Sequence, residues 1–425
     1  MKRILILAFF IISGLAGCSK NGASSDHLSQ SLKNWLAKPH TERAPLEDLD
    51  FSKEPLTKIE AENITQLLFA DKQNQMRNDF EKQWEAREII YDGMQMPFYY
   101  QKFGEMPDDG RSLFISMHGG GNTRAEVNDQ QYENQKHLYD QTMDTLEGVY
   151  LAPRAPTNTW NLWHENHIDD FFNIVIQLSV ALENVNPNKV YLLGYSAGGD
   201  GVYQLAPRMA DRWAAASMMA GHPNETSPLG LKNTPFALHV GGLDKAYDRN
   251  LIAQQWKTKL DELEKQTPGT YIHQVKLHEG MGHWMNGEDA VALPWMQHFK
   301  RNPIPEKVVW KQDDRHHHRF YWLGVPEELI ETGAEVIAEY STQKNEINIR
   351  SNYSKTLKLY INDKMVDLDQ PVTIKYQGNT IAQKKFNRSI ANIYHSLADK
   401  GDAELAFSAI LTVNNNETVE ERINQ

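Results

Sequence analysis

The sequence predicts an α/β protein, a mostly parallel sheet with helices on both faces, followed by a small β-rich C-terminal domain. Three observations carry this. Between about residues 90 and 300 short apolar runs alternate with helical stretches, the pattern of strands buried on both faces by crossover helices. After Pro303-Ile304-Pro305 the alternation stops and closely spaced β-type runs take over. The chain has 425 residues, 40% hydrophobic and 24% charged, enough for two or three domains at roughly 150 residues each.

Taken in order, Lys2 and Arg3 precede the apolar run Ile4 to Ile12, which is shorter than the roughly 20 residues a membrane span needs. Residues 1–17 therefore read as a targeting segment. Residues 18–27, rich in Ser, Gly and Asn, read as a flexible tether, and residues 28–88 as a helical segment. Its two helices are expected around Leu28 to Ala37 and Pro55 to Trp84, the second with Pro at its first position.

Residues 89–303 form the α/β core. A hairpin is expected over Glu88 to Phe103, turning at Asp92-Gly93. Strands are expected over Leu113 to Met117, Gly148 to Leu151, Val190 to Leu193, Ala214 to Met219, Phe236 to Val240 and Ile272 to Leu277. Among the helices between them, Ile168 to Leu182 is the clearest, with apolar residues recurring every three or four positions. Residues 304–425 are expected to form a sandwich-like β-domain, with hairpin turns at Asn362-Asp363-Lys364 and Gln377-Gly378-Asn379.

Composition excludes several chemistries. A single cysteine forbids an intramolecular disulfide, a cysteine zinc site and an Fe–S cluster. With 44 Lys+Arg against 56 Asp+Glu, a nucleic acid partner is not expected. Arg315-His316-His317-His318-Arg319 does not read as a metal site, since neighbours on a strand point to opposite faces and the arginines repel a cation.

The chemistry sits in four loops. Gly194-Tyr195-Ser196-Ala197-Gly198-Gly199 follows a strand and leads into a helix, the nucleophile-elbow arrangement. Upstream, His118-Gly119-Gly120-Gly121 follows the strand ending at Met117, where the backbone N–H of Gly119 or Gly120, with that of Ala197, can face a developing oxyanion. Downstream, Asp244 and His283 each follow a strand, giving the order Ser196, Asp244, His283. A serine hydroxyl needs a base to take its proton and the base needs an acid to fix its tautomer, so these three are the expected triad. Asp248 is the alternative acid, set aside because Asp244 lies closer to its strand end. His118, Trp160, Trp163, His222 and Trp284 are expected to contact substrate, with a packing role as the plainer alternative for His222, Trp160 and Trp163. Asp200 reads as a structural carboxylate in the helix's first turn.

On these motifs, residues of about 90 to 300 resemble an α/β-hydrolase. The stretch Gly194 to Asn224 is similar to esterases of the feruloyl esterase, polyhydroxybutyrate depolymerase and dienelactone hydrolase groups. The resemblance implies a serine esterase without cofactor or metal, acting on a small-molecule or oligomeric ester. Secreted depolymerases of that kind commonly carry disulfides, and this chain departs from them there. A prolyl-oligopeptidase-type peptidase and a non-catalytic binding lipoprotein are the alternative readings; no propeller-sized segment precedes the core. Leu15-Ala16-Gly17-Cys18 resembles a bacterial lipobox, which implies cleavage before Cys18, its acylation and anchoring to a membrane. Ser19 in place of Asp points to the outer membrane. Removing Lys2 and Arg3 changes the formal charge from −12 to (44 − 2) − 56 = −14.

Overall fold

The computed structural model describes residues 20–422. Cys18 and the targeting segment, with the readings that rest on them, lie outside the described residues. Among the described residues no helix is long and apolar enough to cross a membrane.

Two helices open the chain, α1 (Lys20–Leu36) and α2 (Lys58–Glu85). The stretch expected as a tether is thus helical from Lys20. Leu28, Leu32 and Trp35 are buried along one side, and extending an existing helix costs far less than starting one. The second helix begins later than Pro55 because Thr57 caps it. Thr57 Oγ1 accepts from the Glu60 N–H while the Glu60 carboxylate accepts from the Thr57 N–H at 2.6 Å, and Leu56 is drawn into a bridge with Arg388.

The core sheet comprises β1 (Glu88–Tyr91), β2 (Met94–Phe103), β3 (Arg111–Met117), β4 (Gly148–Pro153), β5 (Val185–Tyr195), β6 (Ala215–Met219), β7 (Phe236–Gly241) and β8 (His273–His278). Their spatial order is β1-β2-β4-β3-β5-β6-β7-β8. β1 pairs with β2 and β2 with β4 antiparallel, and the pairings from β4 through β3, β5, β6 and β7 to β8 are parallel. The hairpin turns where the sequence placed it, with Asp92 and Gly93 both at positive φ. Helices α3 (Ala125–His137), α4 (Asp140–Met143), α5 (Asn166–Glu183), α6 (Ala197–Arg208), α7 (Arg249–Gln266) and α8 (Ala292–Gln297) fill the connections.

The helical lead-in is built into the body. α5 is buried almost all round because α2 covers its outer side. Arg77 donates to the Ala181 carbonyl at 2.9 Å, and the Trp84 indole donates to Glu183 at 2.9 Å.

The C-terminal domain is a sandwich over one shared hydrophobic core. One sheet has the order β10-β11-β14-β17-β18, from β9 (Lys307–Lys311), β10 (Arg319–Phe320), β11 (Leu323–Gly324), β12 (Glu335–Ser341), β13 (Glu346–Ser351), β14 (Thr356–Ile361), β15 (Val372–Tyr376), β16 (Asn379–Lys384), β17 (Ala409–Asn414) and β18 (Thr418–Glu421). The other has the order β16-β15-β13-β12-β9. The Gln377-Gly378 turn closes the β15–β16 hairpin as expected. Asn362-Asp363-Lys364 does not close one, since β14 and β15 belong to different sheets. The domain also holds a helix not expected from the sequence, α9 (Ile390–Lys400), capped by Ser389 and packed on α1 and α2 through Ile390, Ile393 and Leu397.

Buried charge joins the two bodies. Asp402 accepts from Arg301 at 2.7 Å and lies 3.6 Å from Arg212, while Lys400 pairs with Asp211 at 3.0 Å. The histidine run reaches the same seam through His317, which meets Asp169 of α5 at 2.7 Å, while His318 meets Asp399 at 2.8 Å and His316 meets Thr332 within the C-terminal domain.

Removing one partner of a buried pair leaves an uncompensated charge. Asp402→Ala, which strands Arg301 and Arg212, is expected to cost about 3 to 5 kcal/mol, read as a lowered urea midpoint. Burial alone would raise the Asp169 carboxyl, but Arg208 and His317 outweigh it and hold it at about 2, below the ordinary 3.8. A carboxyl depressed in the folded state contributes stability above its unfolded pKa that is lost as pH falls through the folded one. Stability should therefore fall between about pH 4 and about pH 2, and Asp169→Asn should flatten the urea midpoint against pH in that window.

Candidate active site

The site begins with a backbone constraint. β5 runs into Ser196, held at φ 57° and ψ −119°, and α6 starts at the next residue. This conformation is costly for a residue with a side chain and persists only where the surroundings force it. Here they do. A Cβ on Gly194 would lie 2.3 Å from the Gly198 carbonyl oxygen, and one on Gly198 would lie 2.2 Å from that of Met117. The Ser196 N–H donates to the Met219 carbonyl at 2.9 Å, so the ends of β3 and β6 clamp the turn between them.

The acid and base loops are locked together one strand further out. The Gly242 N–H donates to the His278 carbonyl and the Leu243 N–H to that of Met281, both at 2.8 Å. A Cβ on Gly241 would lie 1.9 Å from the Gly282 oxygen, so only glycine fits this approach. The result is a continuous hydrogen-bonded line: Asp244 Oδ2 to His283 Nδ1 at 2.7 Å, and His283 Nε2 to Ser196 Oγ at 2.9 Å. Asp244 is buried while the His283 side chain is 42% exposed, so the line runs from the interior to the surface. With Nδ1–H donated to the carboxylate, Nε2 accepts from the serine hydroxyl. His283 pairs with Asp244 and not with Asp248, which stands at the residue before α7 without a side-chain capping bond.

This is the α/β-hydrolase fold. The elbow after the central strand, the glycine loop after β3 and the Ser-Asp-His chain order together decide it.

Within that fold, the glycine loop lies against the nucleophile, since a Cβ on Gly119 would stand 3.2 Å from Ser196 Cβ. Gly120 and Gly121 have φ of 109° and 84°. The Gly121 N–H donates to Asn128 Oδ1 at 2.9 Å, which fixes the loop's exit. Asn128 is itself held by Asn158, and Asn158 by Arg154. The Ala197 N–H opens α6, among the helix's N–H groups that have no intrahelical acceptor.

Two expected substrate contacts are corrected. His118 and Trp163 are fully buried. His118 Nδ1 meets the Gly119 carbonyl at 2.6 Å, and its Nε2 accepts from the Ala155 N–H at 3.1 Å. Burial lowers the imidazole to about 3, so it stays neutral and braces the glycine loop against the loop after β4. The Trp163 indole donates to the His118 carbonyl at 2.7 Å beneath α6. Trp160 and Trp284 do lie on the surface, at 58% and 53% exposure. The Trp284 ring stands 5.5 Å from that of Tyr195. His222 turns its ring back on its own loop, accepting from the Asn224 N–H at 3.0 Å, and its N–H donates to Asp200 at 2.6 Å. Burial pushes the Asp200 carboxyl up to about 7.

Tyr195, inside the elbow motif, was not singled out from the sequence. Its hydroxyl donates to the His283 carbonyl at 2.6 Å and accepts from the Met285 N–H at 3.1 Å, pinning the loop on both sides of the base. Among the described residues one carboxylate group has metal-like spacing, Glu225, Asp313 and Asp314, and Arg208 stands 4.0 Å from Asp314.

No family model matches the chain, and no curated protein matches it. Solved structures similar to about half of it include a thermostable esterase, 15% identical with a TM-score of 0.40, covering 50% of this chain and 62% of that one. The chain thus spans less than two thirds of that esterase's length. A poly(3-hydroxybutyrate) depolymerase from Bordetella parapertussis is 14% identical with a TM-score of 0.37, covering 50% and 87%. The feruloyl esterase module from Clostridium thermocellum, solved with sinapinate, is 14% identical with a TM-score of 0.36, covering 50% and 86%.

Tyr195→Phe removes the two hydrogen bonds to the base loop. Turnover of a p-nitrophenyl ester is expected to fall about tenfold, the equivalent of about 1.4 kcal/mol, with the folded state retained by circular dichroism.

Proposed function

We propose that this protein is a serine hydrolase of carboxylic esters, working through an acyl-enzyme. The observation that carries the reading is the unbroken line from Asp244 through His283 to Ser196, at 2.7 and 2.9 Å. In the first half-reaction His283 Nε2 takes the Ser196 proton as Oγ adds to the ester carbonyl carbon. The oxyanion is received by the Ala197 N–H and by Gly119 or Gly120 of the glycine loop. His283 then returns the proton to the leaving alcohol, and the acyl group stays on Oγ. In the second half His283 deprotonates water, which adds to the acyl carbon, and collapse returns the proton to Ser196 and frees the acid. Asp244 keeps the imidazole in its working tautomer and balances the imidazolium formed in each half.

The exposed Trp160, Leu243, Tyr247 and Trp284 all lie on loops that follow strands β4, β7 and β8. They favour a substrate with an apolar or aromatic portion laid across the catalytic face. The lipobox-like pattern at Cys18 supports a lipid-anchored enzyme in the cell envelope, on the outer membrane by the Ser19 reading.

Ser196→Ala is expected to lower hydrolysis of p-nitrophenyl acetate and butyrate by about 10⁴-fold or more without changing the circular dichroism spectrum. Undiminished hydrolysis by that variant overturns the assignment. A panel of feruloyl, hydroxybutyryl and peptidyl substrates on the chain lacking residues 1–18 then separates esterase from peptidase.

A further inference from the structure

We propose that Arg249 is a positioning residue for this reaction: its buried guanidinium braces the Asp244 carboxylate from behind. The inference rests on the serine hydrolase reading for the reaction, though not for the geometry.

Asp244 is buried, and Oδ2 is taken by His283. The other oxygen, Oδ1, faces Arg249 Nη1 at 3.8 Å. A buried carboxylate is stabilised by opposite charge or by several donors, and Arg249 is the cation that faces this oxygen. The arginine is itself 9% exposed, its Nε has no hydrogen-bond partner, and its Nη1 makes one long bond of 3.4 Å to the Ala246 carbonyl. Its charge therefore acts on its acidic neighbours. Of these, Asp244 lies within ion-pair distance, at 3.8 Å.

The position of Arg249 is unfavourable on local grounds. It is the first residue of α7, where the helix dipole disfavours a cation, and that helix has no acidic residue in its first turn. It follows two consecutive left-handed residues that are not glycine, Tyr247 at φ 55°, ψ 25° and Asp248 at φ 55°, ψ 27°. Such backbone is strained. What holds it is the acid loop: the Asn250 N–H donates to the Asp244 carbonyl at 3.1 Å and its side-chain amide to that of Gly242 at 2.9 Å. The strained turn swings the arginine back beneath Asp244, while the Tyr247 ring covers it at 4.9 Å.

A brace that never meets substrate changes turnover and leaves substrate affinity alone. In the full chain, Arg249→Gln should lower kcat for p-nitrophenyl butyrate about 10- to 100-fold, as for other supporting partners of site residues, with KM within twofold. Arg249→Lys should recover most of the loss, and guanidinium ion added to Arg249→Ala should raise kcat in a saturable way. The low-field proton resonance of His283 Nδ1–H should shift or vanish in the glutamine variant. Unchanged kcat in Arg249→Gln, or a rise in KM alone, overturns the proposal. If that variant does not fold, Arg249→Met carries the test on the same terms, and unchanged kcat with an unmoved resonance there overturns it. If the parent chain hydrolyses no ester, the serine hydrolase reading fails separately. The resonance needs no substrate, and its response to Arg249→Gln then decides the brace alone.

Discussion

The forced backbone at Ser196 is the constraint on which the site depends. A serine at φ 57°, ψ −119° would relax if any neighbour gave way. The neighbours are the carboxyl ends of β3 and β6, pressed against glycines whose place no side chain can take. Sheet order does the rest. With β3 and β6 flanking β5, and β7 and β8 beyond, one edge receives the glycine loop, Ser196, Asp244 and His283. The line from Asp244 through His283 to Ser196 is thus a product of strand order as much as of residue type.

How much of this was legible in the sequence follows from the range of the contacts involved. Ser196, Asp244 and His283 announce themselves because each stands just after an apolar run, in a known order. His118 and Trp163 were misread because a buried imidazole and indole have the same letters as ligand-binding ones; only their burial and their bonds to Gly119, Ala155 and His118 tell the difference. Asn128 and Arg249 act on near neighbours in the chain, Gly121 and Asp244, but nothing in their local sequence marks the partner. Tyr195 could have been found, since the residue before an elbow serine is a strand residue beside the base loop.

The architecture was legible to a similar depth. The strands of the core came from their apolar runs, and the β15–β16 turn from Gln377-Gly378. α9 was hidden by its β-rich setting, although Ser389 followed by Ile390, Ile393 and Leu397 is a capped helical pattern. Asn362-Asp363-Lys364 has the letters of a hairpin turn but carries the chain from one sheet to the other. Arg315 to Arg319 does not read as a metal site, and the structure gives its histidines three different partners, of which Asp169 alone lies across the domain seam.

The long helix α2 has a mechanical meaning. It grips the end of α5 through Arg77 and Trp84, just ahead of the amino end of β5, and packs on α9 as well. Leu56 bridges to Arg388, and Glu47 pairs with Arg422 near the far end of the chain. A pull on the amino-terminal end would therefore load both bodies at once, through a helix seated at the amino edge of the sheet. Ser196, Asp244 and His283 hang from the carboxyl edge, so the load path bypasses the loops that hold them.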